Sequence, residues 1–156
     1  TDGTWKEVKA KEETYPLIEQ GRAGDIVINM STEQVRKLIP AERLKNHSIM
    51  LEGEDYPALL VLDAKKEKVL LLELWEDKIY RMHVLHPKCK TKAGMGVGNT
   101  LAELRKAYPN GYDSALDEEG LPTYVVDEGG GFVFDYTSSG EASSTDKVYY
   151  VMLIEP

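Results

Sequence analysis

Apolar positions recur along the chain in two periods. Val35, Leu38 and Ile39 fall at helical spacing behind Ser31, and Leu101, Leu104 and Tyr108 do the same behind Thr100. Each helix start pairs a hydroxyl with an amide or carboxyl three residues later, Ser31 with Gln34 and Thr100 with Glu103. That spacing is a capping box, in which side chain and backbone satisfy each other's open N–H groups. Pro40 and Pro109 end these helices, because the residue before a proline avoids the helical region. Strand-like runs follow each helix. The first set is Ala58 to Leu62, Lys68 to Trp75 and Lys78 to Leu85, and the second is Pro122 to Asp127, Gly131 to Tyr136 and Asp146 to Ile154. Turn residues at Asp63 to Glu67, Glu76-Asp77 and Glu128-Gly129-Gly130 predict hairpins, and polar Thr137 to Thr145 predicts a longer loop.

Self-comparison organises these segments. Ser31 to Pro40 aligns with Thr100 to Pro109, and Asp77-Lys-Ile-Tyr80 aligns with Asp146-Lys-Val-Tyr149, both at an offset of 69 residues. Between them Val61-Leu62-Asp63 aligns with Val125-Val126-Asp127 at an offset of 64, so the copies differ by small insertions. Ile26 and Ile28, matching Met95 and Val97, predict a short extended piece before each cap. The expected fold class is α+β, a tandem repeat of a short helix followed by a three-stranded antiparallel sheet. Copy one spans residues 24–90 and copy two 91–156, as one continuous sheet or two. Residues 1–23 are an N-terminal extension with one strand expected around Trp5 to Ala10.

One strand differs between the copies. Along Ile79 to Leu85, Ile79, Arg81, His83 and Leu85 share one face, with Tyr80, Met82 and Val84 on the other. Val148 to Ile154 is apolar on both faces, which places it near the middle of a sheet. Arg81 and His83 then mark an exposed sheet face and are the candidate partner-binding residues.

Charge and cysteine content narrow the function. The 156 residues carry 19 Lys and Arg against 27 Asp and Glu, a formal charge of −8. This disfavours nucleic acid and anionic lipid, both of which need clustered cations. The single Cys89 forms no intrachain disulfide, and no apolar run reaches the ~18 residues of a membrane span. The chain opens Thr1-Asp2-Gly3-Thr4, from which trimming of a signal peptide or loss of a lipid anchor is expected.

The segment Ile79 to Leu85, then Thr91, then Gly94-Met-Gly96-Val97-Gly98-Asn-Thr100-Leu101-Ala-Glu103-Leu104, resembles a signature of small bacterial envelope lipoproteins of uncharacterised function. The Gly-x-Gly-x-Thr turn, short helix and following hairpin are also similar to SmpA/OmlA outer-membrane assembly lipoproteins and to the repeats of beta-lactamase inhibitory proteins. The resemblance implies a periplasmic or outer-envelope protein that binds other proteins. The paired disulfides of the inhibitory proteins have no counterpart around the lone Cys89.

Other groups suggest chemistry. His83-Val-Leu-His86-Pro-Lys-Cys89 holds three metal-ligand types, and His86 with Cys89 could form a nucleophilic pair or part of a zinc site. Residues 83 and 86 point to opposite faces of a strand, so polar residues at a strand end are the plainer reading. Gly94 to Thr100 resembles a phosphate loop, but Asn99 stands where G-x-G-x-x-G needs its third glycine, and close backbone packing explains the glycines better. Acidic Glu52-Gly-Glu54-Asp55 and Asp117-Glu118-Glu119 match no calcium loop and read as solvated turns. No G-x-S-x-G elbow exists. Nine tyrosines suit either an interaction surface or one covered sheet face.

The expectation is a non-enzymatic binding or scaffold protein whose partner is another protein, using no cofactor, with no catalytic, cofactor-binding or metal residue nominated. The alternatives are a small hydrolase or metal protein using His86 and Cys89, and an enzyme inhibitor using the Thr137 to Thr145 loop.

Overall fold

A computed structural model describes residues 14–116, 121–135, 137 and 140–156. Three two-residue strands open this region, β1 (Ile18–Glu19), β2 (Arg22–Ala23) and β3 (Ile26–Val27), paired antiparallel in chain order. Helix α1 (Thr32–Leu38) and a 3₁₀ turn (Ala41–Arg43) lead into β4 (Leu44–Leu51), β5 (Glu54–Leu62), β6 (Lys68–Trp75) and β7 (Lys78–Val84). Helix α2 (Leu101–Ala107) then precedes β8 (Tyr112–Leu116), β9 (Leu121–Asp127), β10 (Gly130–Phe134) and β11 (Val148–Leu153). Both capping boxes form. Ser31 Oγ accepts from the Gln34 N–H and Thr100 Oγ1 from the Glu103 N–H, each returned by the N3 side chain.

Strands β4 to β11 make one antiparallel sheet in the order β4-β5-β6-β7-β11-β10-β9-β8. This overturns the expected repeat of a helix and a three-stranded sheet. The described chain is mostly β, with one eight-stranded sheet and a three-stranded ribbon. The unpredicted strands β4 and β8 are the two edges of the large sheet. Leu44-Lys-Asn-His-Ser-Ile-Met-Leu51 and Tyr112-Asp-Ser-Ala-Leu116 are polar and broken in pattern because an edge is solvated on several sides. Central β11 pairs with both β7 and β10, as its two apolar faces require.

The core lies on the helix side. Val35 of α1, with Leu101 and Leu104 of α2, joins Leu70, Leu72, Ile79, Met82, Val84, Phe132, Phe134, Val151 and Leu153 in one buried cluster. Ile18, Ala23, Ile26 and Ile28 extend it under the ribbon. The Glu76-Asp77 turn takes positive φ at both residues (51° and 66°), the geometry that matches the twist of a tight hairpin. Gly96 sits where a Cβ would lie 2.4 Å from the Cys89 carbonyl oxygen, so the glycine run there serves close packing. The strand expected around Trp5 and the acidic Asp117 to Glu119 lie outside the described residues.

Burial sets unequal costs for truncation. Phe132→Ala is expected to lower unfolding free energy by about 3–5 kcal/mol, and exposed Met50→Ala by under about 0.5 kcal/mol. Urea denaturation of the two variants checks this; equal losses would contradict the core assignment.

Candidate functional site

Paired residues of an antiparallel sheet point to the same side. The register therefore defines a row on the face turned away from the core: Lys45, Leu60, Leu71, His83, Met152, Gly131, Val125 and Tyr112. Ala58, Glu73 and Arg81 form the adjacent row across β5, β6 and β7. The two nominated residues, Arg81 and His83, are thus neighbours on this far face. What joins them is Glu73, which the sequence reading did not single out.

Glu73 is only 5% exposed. Its Oε1 accepts from Arg81 Nη2 at 3.0 Å and Nε at 3.2 Å, and its Oε2 lies 2.5 Å from His83 Nε2. Burial by itself raises the Glu73 pKa. The His83 hydrogen bond and charge, with Arg81 beside them, outweigh it and hold the carboxyl below its ordinary range. His83 stacks on Tyr150 of β11 at 4.7 Å, Tyr150 meets Tyr149 edge-on at 5.5 Å, and the Arg81 guanidinium lies 5.6 Å from the Tyr80 ring centre. A continuous strip of ionic and aromatic contacts therefore crosses the join between β7 and β11. Val133, Tyr150 and Met152 form a second apolar cluster beside it, with Leu85 and Leu121 against them.

Two β-bulges shape the strip. Pairing shifts from Glu73↔Arg81 to Leu74↔Ile79, leaving Tyr80 as the extra residue, and from Val133↔Tyr150 to Phe134↔Val148, leaving Tyr149. Both tyrosines stand out from the sheet, at 59% and 58% exposure, and Trp75 is 57% exposed.

His86 and Cys89 do not form a reactive pair. Cys89 is fully buried in the main core, and burial pushes its thiol up to about 12, so no thiolate is present near neutrality. His86 instead faces two carboxylates, with Nε2 3.3 Å from Glu67 Oε1 and 3.6 Å from Asp63 Oδ2, and stacks on Tyr15 at 4.4 Å. Asp63, Glu67 and His86 are spaced as metal ligands would be. Their bonding argues otherwise. The Lys88 N–H donates to His86 Nδ1 at 3.1 Å, which puts the proton of a neutral ring on Nε2, the nitrogen a metal would need. Asp63 is committed too: Oδ1 accepts from the Lys65 and Glu67 N–H groups and Oδ2 from the Tyr15 hydroxyl. Burial opposes its charge, but the Tyr15 bond and then the backbone bonds prevail and lower its pKa. This cluster ties the β5–β6 turn to Tyr15 and to the segment after β7. Of the Thr137 to Thr145 loop, the described part is held by Thr137 Oγ1 donating to the Glu141 carbonyl and Gly140 N–H donating to the Thr137 carbonyl.

Glu73→Gln is expected to cost about 2 kcal/mol at neutral pH, since it weakens charged hydrogen bonds to Arg81 and His83. Glu73 and Asp63 have folded pKa values below their unfolded ones. Their contribution is complete above the ordinary carboxylate range and is lost as pH falls through the folded values. Urea midpoints of wild type and Glu73→Gln should therefore converge on acidification; a constant gap would contradict the assigned bonding. Cys89 should react with a thiol reagent at pH 8 only in denaturant, and fast labelling of the native protein would contradict its placement.

No protein-family model matches the chain, and no curated protein matches it. A solved structure, the uncharacterized protein yfeY from Escherichia coli, is similar with a TM-score of 0.61 and 12% identity, over 90% of this chain and 97% of that one. At that identity the likeness is one of fold.

Proposed function

We propose that this protein is a non-catalytic binding module of the bacterial envelope that engages a partner protein through the far face of its sheet. The observation that carries the reading is the strip running from Tyr149 and Tyr150 through His83, Glu73 and Arg81 to Tyr80. It places exposed aromatic rings around a buried ion network on a rigid sheet. Tyrosine and arginine anchors set on fixed elements suit protein recognition. A non-catalytic role is supported by the bonding of the groups that could do chemistry. Glu73 is saturated by Arg81 and His83, His86 by Lys88, Asp63 and Glu67, and the Cys89 thiol stays protonated. The envelope assignment rests on the resemblance carried by Gly94 to Leu104. The described residues contain no helix long and apolar enough to cross a membrane.

Photo-crosslinking in the native cell tests this directly. A benzophenone amino acid at position 80 or 149 should give a discrete protein adduct, whereas the same group at exposed Lys37 or Lys106 on the helices should not. No adduct at 80 and 149, or equal adducts at all four positions, would contradict the reading.

A further inference from the structure

One end of the far face is hollow. Tyr56 of β5, Glu73, Leu74 and Trp75 of β6, and Tyr80 of β7 line a cavity of about 310 Å³. Tyr56 and Trp75 stand 6.3 Å apart between ring centres and are tilted by 39°, so they form two walls rather than a stack. Tyr80 supplies a third ring, and the Glu73 carboxylate is the one charged lining group among the described residues.

The chemistry of the lining selects among ligands. Among the described residues an anion finds no cation in the wall, and the nearby Arg81 and His83 are bonded to Glu73. A sugar needs several polar partners at once, while both Glu73 oxygens already accept hydrogen bonds. A bare metal ion needs a shell of oxygen ligands that aromatic walls cannot give. A primary ammonium stays strongly hydrated and needs acceptors for three N–H groups. A quaternary trimethylammonium has no N–H group to satisfy, spreads its charge over methyl surface, and is held by ring faces. The rings are prepared for a cation. The Tyr56 hydroxyl donates to Glu54 Oε2 at 3.0 Å, which enriches that ring in electron density, and the charge of the Arg81 guanidinium beside Tyr80 is balanced by its bonds to Glu73. A chain of net charge −8 adds a favourable field.

We propose that this pocket binds the trimethylammonium group of a small soluble compound, seated against Tyr56, Trp75 and Tyr80 with the Glu73 carboxylate close by. The proposal rests on the far face being a binding surface, and adds a small-molecule ligand class to it.

Choline is the probe, and 3,3-dimethyl-1-butanol, its uncharged carbon isostere, is the control. The chain has two tryptophans, so a Trp5→Phe background leaves Trp75 as the fluorescence reporter. Saturable quenching by choline is expected, about tenfold tighter than by the alcohol. Tyr80→Ala should weaken choline about tenfold with the urea midpoint unmoved, since Tyr80 is exposed. Calorimetry on Trp75→Ala gives a second loss that does not depend on fluorescence. Absence of saturation at millimolar choline, or equal affinity for alcohol and choline, would overturn the proposal. Co-sedimentation with phosphatidylcholine vesicles without binding of free choline would overturn the soluble source. Crosslinks from position 149 report protein binding independently, so failure of the pocket and failure of the far-face reading give different results.

Discussion

The fold depends on the short antiparallel contact between β7 and β11. Three residue pairs, Val84↔Val151, His83↔Met152 and Met82↔Leu153, join a four-stranded meander built after α1 to one built after α2. On the helix side, Met82, Val84, Val151 and Leu153 from the two strands fill one core. On the far side the same join brings His83 of one meander onto Tyr150 of the other. Separating the meanders would expose both faces at once. Core and candidate site are thus held by the same few backbone bonds, and apolar burial behind the sheet fixes the polar arrangement in front of it.

That polar arrangement is costly on its own terms. A carboxylate 5% exposed on a sheet face loses most of its hydration, and only a full set of donors offsets this. Arg81 and His83 supply that set from the neighbouring strand. The consequence is a rigid centre flanked by side chains that are free to meet a partner. Exposed Trp75, Tyr80 and Tyr149 stand around buried Glu73, and the bulges at Tyr80 and Tyr149 lift those two rings out of the pleat. Rigid aromatic groups lose little conformational entropy on binding, which favours such a surface over the helix faces with their long, charged Lys and Arg side chains.

Local signals in the sequence were legible, and long-range ones were not. The capping boxes at Ser31 and Thr100, the Glu76-Asp77 turn and the central place of the Val148 to Ile154 run depend on neighbouring residues or on alternation, and the structure shows each of them, the last as a central strand over Val148–Leu153. The edge strands Leu44–Leu51 and Tyr112–Leu116 were not legible because consecutive residues on both faces, Lys45 to Ser48 and Tyr112 to Ala115, are exposed, which removes the apolar alternation of a half-buried strand. Their omission made the expected units three-stranded. Arg81 and His83 were readable as one face, but Glu73 was hidden by a bulge. Counting back from the Glu76-Asp77 turn without it sets Glu73 opposite Tyr80, and only the extra residue brings Arg81 across from it. The one clue was an acid amid Val69 to Trp75. His86 was drawn toward Cys89 by nearness in sequence, while its real partners Asp63 and Glu67 lie 23 and 19 residues earlier.

Native-state hydrogen exchange tests most directly whether the sheet, and the site that crosses it, is one unit. Amides of β6, β7, β10 and β11 should share a single, highest opening free energy and respond alike to Met82→Ala at the join. If the strands after α1 and those after α2 opened at separate free energies, with Met82→Ala moving only one set, the account of a single sheet carrying one shared site would be wrong.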